Sequence, residues 1–226
     1  MTGLLDSGVR AILFDMDGTL LDSNSLVADA GSMMLQRAGH QLSPDDVHLA
    51  LATRTMRQIC REVLGMSEEE TEIFYDGFLE VFYTEWAPKA EPLPHAERLL
   101  ELVREAGMRV ALVTNRIERG GRAGVDGVDW GHHFDVIVGQ DTAGHAKPHP
   151  DPALHALAAL DIPAMEAVFV GDNATDVGCG VSAGMKAVIA IAEGDKAQRL
   201  ADMGATHVHA DLYGVHETFF GQPHAD

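Results

Sequence analysis

Arg10-Ala-Ile-Leu-Phe-Asp15-Met-Asp17-Gly-Thr-Leu20 is a short apolar run that stops abruptly at two aspartates and a glycine. Its apolar residues are continuous rather than alternating, the pattern of a strand covered on both faces of a parallel sheet. Further along, Arg109-Val-Ala-Leu-Val-Thr114, Asp135-Val-Ile-Val138 and Ala167-Val-Phe-Val170-Gly-Asp172 repeat the pattern. Ala187-Val-Ile-Ala-Ile191 is a fifth such run and Thr206-His-Val-His209 a weaker sixth. Helical spacings lie between them. His95 to Ala106 carries Ala96, Leu99, Leu100 and Val103 and ends at Gly107; Asp151 to Leu160 opens with an Asp-Pro start. Strand and helix in alternation predict an α/β fold, a Rossmann-like three-layer core with a parallel sheet. Right-handed crossovers bring its strand ends to one edge.

Residues 23–88 interrupt the alternation. They hold no strand-like run but four helical ones, Ser25–Ala38, Pro44–Ala50, Thr55–Leu64 and Ser67–Trp86. Ser67-Glu-Glu-Glu70 has the form of a capping box, with carboxylates in a first helical turn. The expected organisation is a catalytic core of residues 1–22 and 89–226 with an all-helical cap, 23–88, inserted after the first strand. An insertion at the carboxyl end of a strand sits where α/β sheets bind ligands. It is placed to act as a lid, with hinges near Asp22-Ser23 and Pro88-Lys89.

The 226 residues carry 16 Lys and Arg against 35 Asp and Glu, a formal charge of −19. Polyphosphate backbones and anionic lipid surfaces both require clustered cations, so nucleic-acid and membrane partners are excluded. The two cysteines, Cys60 and Cys179, make neither a disulfide framework nor a four-ligand zinc site. The N-terminal stretch lacks the apolar core of a signal peptide, and no run approaches the ~18 apolar residues of a membrane span. The expectation is a soluble, cytoplasmic protein, monomer or homodimer.

Asp15 and Asp17 project to the same side if the chain stays extended, and Gly18 then permits a sharp turn. Such a pair repels unless a proton or cation lies between its members. Alone, Asp-x-Asp-Gly is no more than a turn. A second acidic pair gives it meaning. Asp172 sits at the tip of another buried strand, and Asp176 follows at a spacing of four, one helical turn on. Asp15, Asp172 and the backbone oxygen of Asp17 form an all-oxygen set suited to Mg²⁺, with Asp176 in the outer shell. Thr114-Asn115 offers a hydroxyl and an amide to an anion, and Lys147-Pro-His-Pro150 holds a cation in a stiff loop. Each residue alone has a bland reading as cap or surface. All four sites, however, fall at carboxyl ends of parallel-type strands.

These motifs resemble the haloacid dehalogenase superfamily, in its phosphoglycolate phosphatase-like branch with a helical cap. The resemblance rests on Asp15-x-Asp17-Gly-Thr-Leu-Leu-Asp-Ser, Val113-Thr-Asn115, Lys147-Pro-His-Pro-Asp151 and Gly171-Asp172-x-x-x-Asp176, then Ala183-Gly-Met185. It implies that Asp15 is a nucleophile forming an aspartyl-phosphate. Asp17 would protonate the leaving alcohol and then activate water. Thr114 and Lys147 would hold phosphoryl oxygens. The implied activity is Mg²⁺-dependent hydrolysis of a small phosphorylated metabolite. The dehalogenases of this superfamily lack the aspartate that stands here as Asp17, and its phosphonate hydrolases use a cap lysine that residues 23–88 do not contain. A phosphohexose mutase, beta-phosphoglucomutase-like, shares the whole phosphoryl-transfer set and stays open. A non-catalytic phosphate-binding module predicts the loss of a catalytic group, and none is lost.

Some positions depart from the family's pattern. A glycine-containing specificity loop is replaced by Leu51-Ala-Thr-Arg54-Thr-Met-Arg57, from which Arg54 can reach a substrate carboxylate or second phosphate. His95 stands where a glycine is usual. Five glycines between Arg116 and Gly131 predict a short or frayed helix after Asn115, at about 1 kcal/mol for each interior glycine. His145 and His149 flank Lys147 and are placed to tune it.

Overall fold

The computed structural model describes residues 3–51 and 54–221. The chain divides into two compact units, one made of the segments up to Asp22 and from Glu91 onward, the other Ser23–Ala90. The helical segment expected to end at residue 88 runs on to Ala90, because Ala87–Lys89 closes as one more 3₁₀ turn.

The first unit is built on a six-stranded sheet. Its strands in chain order are β1 (Ala11–Phe14), β4 (Arg109–Val113), β5 (Val136–Val138), β6 (Ala167–Gly171), β7 (Ala187–Ile191) and β8 (His207–His209). The intervening β2 (Leu21–Asp22) and β3 (Glu91–Pro92) make a separate antiparallel pair. Spatial order is β5-β4-β1-β6-β7-β8, and every neighbouring pair is parallel. β1 and the apolar part of β4 and β6 are buried throughout, which accounts for their unbroken apolar runs. Phe14 is level with Leu112 on one side and Val170 on the other, so the three strands end within one residue of each other. From β1 the chain builds outward through β4 and β5, then returns past β1 to build β6, β7 and β8 on the other side. The crevice at such a reversal is where open α/β sheets bind ligands.

Helices cover both faces. Leu13, Ala111, Phe169 and Val188 face Ala153, Leu157 and Cys179 of the helices Asp151–Leu160 and Ala174–Ser182. On the opposite face lies Glu118–Gly127, the glycine-rich segment, which forms a ten-residue helix rather than the short or frayed one expected. The reason is close packing. A Cβ at Gly121 would sit 3.1 Å from Thr114 Cγ2, and one at Gly124 only 2.7 Å from Met16 Sδ. Bare backbone lets this helix lie against the strand ends that carry the site, and that contact offsets the glycines' low helix propensity.

The helical unit contains Asn24–Arg37, Pro44–Leu51, Met56–Gln58 continuing as a π-turn through Val63, and Glu68–Val81 continuing as a π-turn through Trp86. The capping box expected at Ser67 is present: Glu70 N–H donates to Ser67 Oγ at 3.2 Å, and Ser67 N–H to Glu70 Oε2 at 2.8 Å. Leu35, Val47, Ile59, Phe78 and Phe82 are among its buried residues. Of the stretch expected to form the specificity loop, Ala52 and Thr53 lie outside the described residues. Arg54 faces Glu62 at 3.5 Å within this unit. Among the described residues no helix is long and apolar enough to cross a membrane.

Candidate active site

Asp15 is the first residue after β1, and its N–H still donates into the sheet, to Val170 O at 2.9 Å. The chain then coils through Met16 to Leu21, turning at Gly18 with φ +80°. A side chain there would be strained, and its Cβ would lie 3.0 Å from Asp172 Oδ2. The glycine is thus what lets the turn close over the second acidic residue. Asp172 follows β6 directly, and Asp176 stands in the first turn of the helix Ala174–Ser182, where a carboxylate is favoured by the helix dipole. Asp15, Asp172 and Asp176 are buried, and each brings a carboxylate oxygen within 4.8 Å of the others.

Lys147 enters this cluster from the loop before the helix Asp151–Leu160. Its Nζ donates to Asp15 Oδ1 at 2.6 Å, to Asp176 Oδ1 at 2.7 Å and to Val113 O at 2.7 Å, filling all three donor positions. The other oxygen of Asp176 accepts from Asn173 N–H at 2.9 Å, so both its oxygens have protein donors. Asn115 clamps the loop: its Oδ1 accepts from Lys147 N–H at 2.9 Å, and its Nδ2 donates to Lys147 O at 3.2 Å. The Asn115 amide was expected to meet an anion. Its two bonds to the Lys147 backbone fix the loop that carries the lysine. Thr114 is buried at the end of β4, and its hydroxyl accepts from Arg116 N–H at 3.1 Å.

Two cations in the site escaped the sequence reading. Arg116 engages Asp17 in a fork, Nη2 to Oδ1 at 2.5 Å and Nε to Oδ2 at 2.9 Å. Lys196 reaches Asp172 Oδ2 at 2.9 Å, while Thr19 and Asn173 donate to Oδ1 at 3.3 and 3.2 Å. Position along the fold was the available signal for both. Arg116 follows Thr114-Asn115 at the end of β4, and Lys196 follows the end of β7, the neighbour of β6.

Four carboxylates (Asp15, Asp17, Asp172, Asp176) thus meet three cations (Lys147, Lys196, Arg116), a formal −4 + 3 = −1. Burial pushes the Asp15 carboxyl up to about 8 against the pull of Lys147, with a further push from Asp176 and Asp17. Burial also raises Asp172, against Lys196 and with Asp176 adding to the rise. Burial alone would lower Lys147, but Asp15 and Asp176 outweigh it and hold the ammonium above its ordinary range. All three directions describe one deficit of positive charge in a buried place. A set of hard oxygen donors carrying excess negative charge fits a small divalent cation such as Mg²⁺.

Arg54 belongs to the helical unit, where Glu62 is its neighbour. His145 and His149 turn toward Asp151. Their rings stack on each other, with centroids 4.3 Å apart, and both reach Asp151. His95 adopts φ +70°, the left-handed region that favours glycine. It begins the helix Ala96–Glu105, stacks on Tyr213 with centroids 4.3 Å apart, and bonds His216 at 2.7 Å.

Residues 12–190 match the model of the haloacid dehalogenase-like hydrolases. A phosphoglycolate phosphatase of Aquifex aeolicus is 35% identical over 188 residues, covering 81% of this chain and 85% of that protein. Among solved structures, a haloacid dehalogenase-like family hydrolase of Streptococcus pneumoniae has a TM-score of 0.77 at 19% identity, covering 92% of this chain and 97% of its own. CbbY of Rhodobacter sphaeroides, solved in complex with phosphate, has a TM-score of 0.75 at 23% identity, covering 90% and 95%.

Proposed function

The chain belongs to the haloacid dehalogenase-like hydrolases, and on that premise we propose that it is a Mg²⁺-dependent phosphatase hydrolysing a small phosphomonoester through an aspartyl-phosphate on Asp15. One observation carries the reading. Asp15 is a buried carboxylate held by a lysine beside two further carboxylates, with a fourth, Asp17, two residues away in its own forked clamp.

Asp15, Asp172 and the Asp17 carbonyl would hold the ion, with Asp176 behind them. When bound, the ion supplies positive charge to the phosphoryl oxygens and keeps Asp15 ionised. The chain's own groups perform the rest. The Oδ of Asp15 that faces the substrate attacks phosphorus, and the bond to the ester oxygen breaks. Asp17 gives that oxygen a proton, and the alcohol leaves. Asp17, now a carboxylate, takes a proton from water as the water oxygen attacks phosphorus. The Asp15–phosphorus bond then breaks, releasing phosphate and restoring both aspartates. Dividing the reaction this way replaces one difficult displacement by two easier ones. Lys147 orients Asp15 and stabilises charge on the transferred group, and Thr114 offers its hydroxyl beside it. Both oxygens of Asp17 lie in the Arg116 fork, so one must leave it for Asp17 to meet the ester oxygen.

The similarity to a phosphoglycolate phosphatase supports 2-phosphoglycolate as the first substrate to try, ahead of sugar phosphates and nucleoside monophosphates. The test is phosphate release across a panel of phosphorylated metabolites with Mg²⁺, using Asp15→Asn as the blank. Release that depends on Asp15 and on Mg²⁺ is expected. Equal release by Asp15→Asn would overturn the assignment of the nucleophile. A phosphohexose isomerised without phosphate release would make the protein a mutase.

A further inference from the structure

The loop that delivers Lys147 inward carries a second set of donors outward. Side-chain exposure is 2% for Lys147 but 65% for His145, 46% for His149 and 35% for Asp151. His145 Nδ1 lies 2.7 Å from Asp151 Oδ2 and His149 Nδ1 lies 3.1 Å from Asp151 Oδ1, and one ligand atom from each residue falls within 4.8 Å of the others. Ligands about 2.0–2.2 Å from a tetrahedral ion stand roughly 3.4 Å apart, so the two nitrogen–oxygen separations need only widen by a few tenths of an ångström, on exposed side chains, to admit one ion. The His149 nitrogen also accepts from Asp151 N–H at 3.3 Å, which holds the ring beside the start of the helix. Pro148 and Pro150 restrict the backbone between the donors, so little chain freedom is lost when they converge.

We infer that His145, His149 and Asp151 form a binding site for one divalent transition-metal ion, of which Zn²⁺ is the type, separate from the buried carboxylate cluster. Two imidazoles and one carboxylate suit Zn²⁺ and its first-row neighbours, whereas Mg²⁺ prefers oxygen donors. The three protein ligands leave room for water in a fourth position. An ion there ties together both ends of the segment 145–151 and so stiffens the loop that positions Lys147. The inference does not depend on the phosphatase reading, because it concerns binding alone.

The test is calorimetric titration of the metal-free full chain with ZnCl₂, with excess Mg²⁺ present to occupy the carboxylate cluster. Wild type should bind one equivalent of Zn²⁺ and show a higher Tm with it. Asp172→Asn should keep that equivalent. The double variant His145→Ala/His149→Ala should lose both the equivalent and the Tm rise. Its metal-free Tm should match wild type, since both rings are largely exposed, and the double glutamine variant repeats the comparison should the alanines disturb folding. Co²⁺ as a second probe should give visible absorption bands in wild type and not in the double variant. An unchanged equivalent in either folded double variant would overturn the site. So would its loss in Asp172→Asn, or the absence of binding to wild type.

Discussion

Lys147 in the α/β unit and Arg57 in the helical unit both meet carboxylates at 2.6–2.8 Å, but in opposite surroundings. Lys147 is buried and donates hydrogen bonds to Asp15, Asp176 and a strand carbonyl. Arg57 forks onto Glu72 with both side chains nearly half exposed, and its guanidinium lies 3.8 Å from the centroid of the Tyr75 ring. In water the second pairing gains little, because solvent competes for both charges. In the buried place neither partner can be removed without stranding the other. The same contact is therefore a surface link in one unit and a constraint on chemistry in the other.

Breaking the Lys147 pairing should have the largest effect. Lys147→Met is expected to cost about 10²–10³-fold in kcat through lost charge stabilisation, and about 3–5 kcal/mol in stability through unpaired Asp15 and Asp176. Steady-state kinetics and denaturant melts measure the two separately. Arg116→Ala removes the fork on Asp17 and should lower kcat by up to about 10²-fold through misplacement of the acid, with KM changing less.

A pH titration sharpens the contrast. The Asp15 carboxyl lies at about 8 in the folded, metal-free protein against an ordinary 3.8, so between these values the folded state holds more protons than the unfolded. The contribution of Asp15 to stability is thus complete below about pH 4 and is lost as pH rises through 8. Metal-free Tm should fall more steeply with pH in wild type than in Asp15→Asn. Mg²⁺ should raise Tm more at pH 8 than at pH 5, because the ion competes with the proton. Parallel pH profiles for the two proteins would contradict the burial of an Asp15 charge. The smallest effect belongs to the helical unit, where Arg57→Ala should cost about 1 kcal/mol and change the pH profile of stability only in the acid range, where Glu72 loses the partner that holds its carboxyl below the ordinary value.

The strands were legible because burial on both faces leaves an unbroken apolar run, as in Ala11–Phe14 and Val168–Val170. The acidic cluster was legible because its members sit just past those runs. Arg116, in a loop, and Lys196, in the first turn of the helix Gly194–Asp202, were not, since a cation past a strand end acquires meaning only when the sheet order brings its strand beside an acidic neighbour. Glycine frequency misled for Glu118–Gly127, where helix propensity yielded to close approach against Thr114 and Met16. At His95 the sequence showed a histidine where glycine is usual. The structure adds the left-handed backbone at that residue and the stack on Tyr213 beside it.

The central claim is that phosphate passes through a covalent bond to Asp15. Turnover of a competent phosphomonoester with Mg²⁺ can be quenched in acid and the protein reduced with borohydride, which converts an aspartyl-phosphate to homoserine. Peptide mass spectrometry should then find homoserine at position 15 and nowhere else. Unmodified aspartate at 15, with phosphate released in the same reaction, would contradict the account.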